Sequence, residues 1–329
     1  SLDNIMLEHF QISRFLVILL LLFSSCDHIN TGQTKNVGTL LWLHESHDDT
    51  AIKKAVHATL ENTSIIVAQL HWKPNDEAFF QNVQWYCSLA RDHQKKFMIS
   101  IDWQKVDRTG TNGHWSFEHP EVAAAFKHDI KTIVREYKPE LLNLGVEVNY
   151  LALTSPESYR AFIRIFEQLK NELARTNPKI KVGLSFQLEL LYGRHRDWKR
   201  TPTLAALNAV VEALDFIGVS SYPYMYDTEE SSLRSVDFLD SIKSSYQTPL
   251  GISETGISST YYSQLQREKY IQLVFEKTKT LDLTFVIWGS VIDEPQETYW
   301  YDKNGLLQKN GDAKAEFFYW EQGTRNIMR

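Results

Sequence analysis

Short apolar runs and longer amphipathic stretches alternate along the chain from about Val37 onward. The apolar runs fall at Gly38–Leu43, Ile65–Leu70, Phe97–Ile101, Leu141–Val148, Val182–Leu188, Phe216–Val219, Leu250–Ile252 and Phe285–Trp288. They are nearly continuous in Val, Ile, Leu and Phe, the pattern of strands buried on both faces of a parallel sheet. Between them apolar residues recur with the helical period. The clearest case is 156–175, where Tyr159, Phe162, Ile163, Ile165, Phe166, Leu169 and Leu173 share one broad face and Asn177-Pro178 stops the helix. His119-Pro120-Glu121 and Ser155-Pro156-Glu157 each place proline in a first helical turn with an acid just inside. Eight strand candidates, each followed by a helix candidate, in about 290 residues predict an α/β protein built as a single-domain (β/α)8 TIM barrel over 37–329. A doubly wound open sheet is the rival. It would carry a glycine-rich phosphate turn after the first strand, where this chain has Trp-Leu-His-Glu-Ser-His-Asp-Asp (42–49).

The 329 residues are 43% hydrophobic and 23% charged with net charge −6, so nothing basic points to nucleic acid or to an anionic membrane surface. Aromatic residues make up 12%, including nine Trp and fifteen Tyr, a supply of flat faces suited to stacking on sugar rings or to filling a large core.

The N-terminus reads as a targeting segment. Met6 and Arg14 precede Phe-Leu-Val-Ile-Leu-Leu-Leu-Leu-Phe (15–23), which is short for a membrane span. Leu-Phe-Ser-Ser-Cys (22–26) resembles a bacterial lipoprotein cleavage box, which implies cleavage before Cys26, lipid attachment to its thiol, and an exported, envelope-anchored protein. Residues 1–26 are then a signal peptide and the polar 27–36 a tether. Cys87 is the other of the two cysteines and sits on an amphipathic helix, so it is expected to be an inert, buried thiol. Neither a disulfide framework nor a zinc pattern is present. Asp48 and Asp49, in the acidic and histidine-rich stretch after the first strand, read as a helix N-cap and a first-turn acid rather than metal ligands.

In a barrel, function gathers at the C-terminal ends of the strands. Those ends carry Trp42, His44 and Glu45; Gln69, His71 and Trp72; Asp102 and Trp103; Glu147 and Asn149; Gln187 and Glu189; Ser220, Tyr222 and Tyr224; Glu254; and Trp288, Asp293 and Glu294. Each is polar or aromatic after an apolar run. Glu147 and Glu254 end runs that read as buried strands, where a carboxylate must be desolvated, paired or used. Two carboxyls facing each other at roughly 5–5.5 Å are the apparatus of retaining glycoside hydrolysis.

Several segments carry a family likeness. Leu-Gly-Val-Glu-Val-Asn (144–149) resembles the acid/base segment, and Ile-Ser-Glu-Thr-Gly (252–256) the nucleophile segment, of clan A glycoside hydrolases. Leu-Asp-Phe-Ile-Gly-Val-Ser-Ser-Tyr-Pro-Tyr (214–224) is similar to the sixth strand of endo-β-1,4-galactanases and some β-mannanases, and Asn304 to Lys314 to the tail before their last helix. The resemblance implies a (β/α)8 retaining hydrolase of β-linked glycans with Glu147 as acid/base and Glu254 as nucleophile, needing no metal or organic cofactor. It also implies that Tyr222 or Tyr224 bonds the nucleophile and that Trp288 forms a sugar platform. Trp72, Asp102, Trp103, His71 and Asn149 are candidate subsite residues. One departure stands out: the clan usually has Asn before the acid/base, where it binds the sugar 2-hydroxyl, and this chain has Val146. That departure motivates an alternative, a catalytically inactive surface glycan-binding lipoprotein on the same barrel. Transglycosylation at the same site is a third option. Arg194, Arg196 and Trp198-Lys199-Arg200 read as a solvated basic loop, with contact to an acidic sugar as the other reading.

Overall fold

The structure, a computed structural model, describes residues 35–111, 115–198, 201–226, 230–295 and 303–328. The expected signal segment over residues 1–26, with Cys26, lies outside the described residues. Among the described residues no helix is long and apolar enough to cross a membrane.

Eight strands form one parallel sheet: β1 (Asn36–Thr39), β2 (Ile65–His71), β3 (Lys96–Asp102), β4 (Leu141–Asn143), β5 (Lys181–Gln187), β6 (Phe216–Ser221), β7 (Leu250–Thr255) and β8 (Phe285–Trp288). Each pairs with its neighbours in sequence, β1 pairs with β8, and a parallel bridge from Leu40 to Val67 closes the ring. Helices run back between the strands. This is the expected (β/α)8 barrel.

Local sequence accounts for the helices. Asp48 caps Asp49–Asn62 by accepting from the Ala51 N–H at 2.7 Å, and Ser263 with Gln266 forms a capping box on Gln264–Thr280. Proline opens Pro120–Tyr137 and Pro156–Thr176 as predicted. The latter buries Tyr159, Phe162, Ile163, Ile165, Phe166, Leu169 and Leu173.

Two apolar layers result. One lies between sheet and helices. The other fills the barrel with Leu40, Ile65, Val67, Met98, Leu141, Phe216, Phe285 and Ile287. Phe216 and Phe285 meet edge to face at 5.2 Å, and glycines make the room: a Cβ on Gly183 would lie 2.6 Å from the Phe216 ring, and one on Gly251 2.6 Å from Phe285. Truncating either ring to alanine would cost about 3–5 kcal/mol. Above this plug the interior turns polar. Asn143 donates to Ser185 Oγ at 3.1 Å, and Gly218 and Ser253 fill the same level.

The fourth apolar run departs from its expected length. It is a strand only over Leu141–Asn143, after which the chain turns while still bonding both neighbours: Leu144 N–H to Gly183 O, Val146 N–H to Ile101 O and Val148 N–H to Ser185 O. Cys87 is half-buried, with its thiol pushed up by desolvation.

Candidate active site

The turn after β4 aims Glu147. Its φ is +51°, a left-handed conformation costing a non-glycine residue roughly 1–2 kcal/mol. Hydrogen bonds hold it there. The Glu147 N–H donates to Ser185 Oγ at 3.1 Å, and Gln104 Nε2 donates to the carbonyls of Val146 and Glu147 at 2.6 and 3.1 Å. Backbone strain held by neighbours is a recurring feature of functional sites.

Glu254 reaches the interior by another device. Ile252 packs outside the barrel, and strict alternation would send Glu254 outward as well. Register shifts between Val219 and Ser220 and between Ile252 and Thr255 break the alternation. Such bulges re-aim side chains. Thr255 then faces outward, bonded to the Tyr270 hydroxyl at 2.7 Å.

Both glutamates are buried, 3% and 4% exposed, and both line one cavity of about 880 Å³ at the C-terminal mouth. Arg108, from the loop after β3, occupies that space with them. It makes two bonds to the Asp102 carboxylate, at 2.8 and 2.9 Å, and its Nη2 stands 3.0 Å from Glu147 Oε2. Burial works against its charge, but Asp102, Glu147 and Glu254 together outweigh that and hold the guanidinium more firmly protonated than usual. Tyr222 donates to Glu254 Oε2 at 2.8 Å, while Glu254 Oε1 has no hydrogen-bond partner among the described residues.

Burial raises both carboxyls. Glu147 is raised by desolvation, against the pull of Arg108. Glu254 is pushed up to about 8 by desolvation and by the neighbouring Glu147. Near neutrality the pair therefore retains a proton, while Glu147 faces the cation.

Glu189 lies beneath. Fully buried, it accepts from Ser221 Oγ at 2.8 Å and from the Tyr222 N–H at 3.2 Å, and it also bonds Gln187, so it fixes the backbone that carries Tyr222. Burial raises its carboxyl to about 7. Its partners are thus hydroxyl, amide and backbone groups, with no cation among them.

Of the residues expected at the site, Glu147, Glu254, Asp102, His71, Tyr222 and Tyr224 line the cavity. Four others are corrected. Trp72 and Trp103 are 0% exposed and point away from the mouth into an aromatic cluster with Trp115, Phe117, Phe126 and Phe162, its ring centroids 4.6–6.2 Å apart. Trp288 is 1% exposed. It follows the inward-facing Ile287, so it points outward onto Trp320 and donates to Asn304 O. Asn149 is enclosed and ties the short helix Asn149–Thr154 to β5, accepting from the Gln187 N–H and donating to Gln187 O and Thr203 Oγ1. None of these four is a sugar platform or subsite wall.

Sequence reading missed Arg108, Tyr150 and His195, which also line the cavity; Arg196 and Trp198 of the basic loop join them there rather than lying wholly in solvent. Arg108 is unmarked in Gln-Lys-Val-Asp-Arg-Thr-Gly (104–110), an ordinary polar loop by composition. Among the described residues no group of His, Cys, Asp and Glu is placed to hold a metal ion.

The architecture has many relatives of known structure. A glycoside hydrolase family 5, subfamily 18 protein from Bifidobacterium longum, solved with Manβ1-4GlcNAc, is 15% identical with TM-score 0.66, covering 89% of this chain and 77% of that one. An exo-β-1,4-mannosidase from an Opitutaceae bacterium is 13% identical with TM-score 0.69; the match covers 90% of this chain but 60% of that longer one. A family 17 β-1,3-glucanosyltransferase from Rhizomucor miehei is 17% identical with TM-score 0.60, covering 86% and 97%. At these identities the likeness is one of fold: the barrel is the one used by clan A and related glycoside hydrolases. No family model matches the chain, and no curated protein matches it.

Proposed function

We propose that the protein is a retaining glycoside hydrolase acting on β-linked poly- or oligosaccharides. The observation that carries the reading is the pair Glu147 and Glu254, desolvated in one mouth cavity and close enough that Glu147 raises the proton affinity of Glu254. Glu254 attacks the anomeric carbon as the glycosidic C–O bond breaks, and Glu147 delivers its proton to the departing oxygen. Water then gives a proton back to Glu147 and attacks the glycosyl–Glu254 ester, releasing the sugar with its configuration retained. The proton count suits this, since the reaction needs one proton on two carboxyls. Catalysis needs that proton on Glu147, which follows if substrate draws Arg108 off Glu147 and onto Asp102, with which it already makes two hydrogen bonds.

The neighbours support the substrate class only as proteins of like fold, one of them solved with a β-linked disaccharide. Two observations favour a second reading, a glycan-binding protein without turnover: Arg108 pairs with Glu147, and Val146 replaces the usual Asn. The test is a panel of β-linked glycans and 4-nitrophenyl β-glycosides, with the first-formed anomer read by proton NMR. The expected outcome is a β-anomer, formed by the native protein and not by Glu254→Gln. An α-anomer refutes retention, and binding without any cleavage selects the second reading. The N-terminal segment extends the proposal to an exported protein held at a bacterial envelope by lipid on Cys26. Metabolic labelling with an alkynyl fatty acid should mark the native chain; equal labelling of Cys26→Ser would refute that anchor.

A further inference from the structure

Tyr150 sits three residues beyond Glu147, on the helix Asn149–Thr154, and is 2% exposed while lining the cavity. Its hydroxyl has one hydrogen-bond partner among the described residues, His195 Nε2 at 2.9 Å. Which of the two donates is settled at the far side of the imidazole. The backbone N–H of Asp197 points at His195 Nδ1 at 3.2 Å, and a backbone N–H can only donate. So Nδ1 offers a lone pair, the neutral ring carries its proton on Nε2, and that N–H donates to the tyrosine oxygen. Desolvation holds His195 neutral, lowering it to about 4. The phenol hydrogen then has no acceptor among the described residues. A buried donor left unpaired costs about 1–3 kcal/mol, unless a ligand or water accepts from it.

The position of this donor gives it a use. Val146, where an asparagine side chain would reach a sugar hydroxyl, is apolar and 1% exposed. The Tyr150 ring packs edge-on against Trp198, centroids 5.2 Å apart, so the hydroxyl is held at the cavity wall and the phenol has little freedom to turn away.

We infer that Tyr150 is a substrate-contacting hydrogen-bond donor, its phenol hydrogen freed toward the cavity by the Nε2–H tautomer of His195, and that it grips a hydroxyl oxygen of the sugar bound beside Glu147. The inference rests on the glycosidase reading for its ligand. Tyr150 supplies specificity by a neutral donor, with His195 as the positioning residue that acts through it.

Two measurements test it. Nitrogen-15 NMR of the imidazole in the ligand-free protein should find His195 as the Nε2–H tautomer from pH 6 to 8; the Nδ1–H tautomer, or an imidazolium in that range, overturns the inference without involving any glycan. Calorimetric titration of β-1,4-mannotriose, β-1,4-galactotriose and cellotriose into the non-turning Glu254→Gln protein should give an affinity that Tyr150→Phe weakens about tenfold. His195→Leu should weaken it less, because the hydroxyl remains but loses its fixed orientation. Tyr150→Phe preserves the ring and its packing on Trp198, and an unchanged melting temperature separates lost contact from lost fold. Equal affinity with and without the hydroxyl overturns the inference alone. Failure of every glycan to bind the Glu254→Gln protein overturns the glycan reading and this inference with it.

Discussion

Glu147 and Glu254 are the same residue in the same cavity, and the chain builds their surroundings by opposite means. Glu147 stands on a left-handed turn after a strand three residues long, clamped by Ser185 and Gln104, with a guanidinium against its carboxylate. Glu254 stands on a full strand, aimed inward by a register shift, with a phenol donating to one oxygen and, among the described residues, no partner on the other. The first is placed by backbone strain and held by charge. The second is placed by sheet register and left desolvated. The two carboxyls therefore meet different neighbours, a cation for Glu147 and a neutral phenol for Glu254, and on the proposed function an acid and a nucleophile need unlike surroundings of this kind.

The sharpest break in the comparison comes from removing each carboxylate in turn. Glu254→Ala and Glu147→Ala should each lower turnover of 4-nitrophenyl glycosides by roughly 10²–10⁴-fold or more. Azide should restore both, giving an α-glycosyl azide with Glu254→Ala and a β-glycosyl azide with Glu147→Ala. The reverse pattern would exchange the two roles.

A smaller effect is expected from the cation. In the native protein the pair's last proton leaves as pH rises through about 8, so kcat/KM should fall above that pH. Arg108 lowers the proton affinity of both carboxyls, so Arg108→Gln should move this alkaline limb upward and cut kcat/KM roughly 10–100-fold. A pH–rate profile that moves downward would contradict the arrangement. The smallest effect belongs to Tyr222→Phe. It removes a bond that favours ionised Glu254, so the limb should again move upward, by less than with Arg108→Gln, with a loss of about tenfold. A shift larger than that of Arg108→Gln would mean that the phenol, and not the cation, sets the pair.

Much of the barrel was legible because its strands are buried on both faces, and continuous apolar runs mark such strands directly. The misplaced aromatics share one cause. His71 and Asp102 point into the mouth, so Trp72 and Trp103 one residue later point out, as does Trp288 after Ile287. Composition at a strand end carries no such parity, and counting from the inward-facing Ile65, Met98 and Phe285 would have supplied it. Glu254 shows the converse. Parity alone would send it outward; its place at the end of a buried run and the likeness of Ile-Ser-Glu-Thr-Gly to a known segment put it at the mouth. Arg108, Tyr150 and His195 lie off the strands, where chain pattern has no period and long-range pairing decides the geometry.

The phenylalanine plug below the site governs traffic. With Phe216 and Phe285 packed edge to face in the space vacated by Gly183 and Gly251, the base of the barrel is shut and the chamber is a cup rather than a tunnel. On the proposed function, arriving glycan, departing aglycone and incoming water would share the upper doorway in succession. Emptying the vessel after each cycle is therefore a candidate for the slowest event, and changes to the surrounding loops can retune throughput while the chemistry stays untouched.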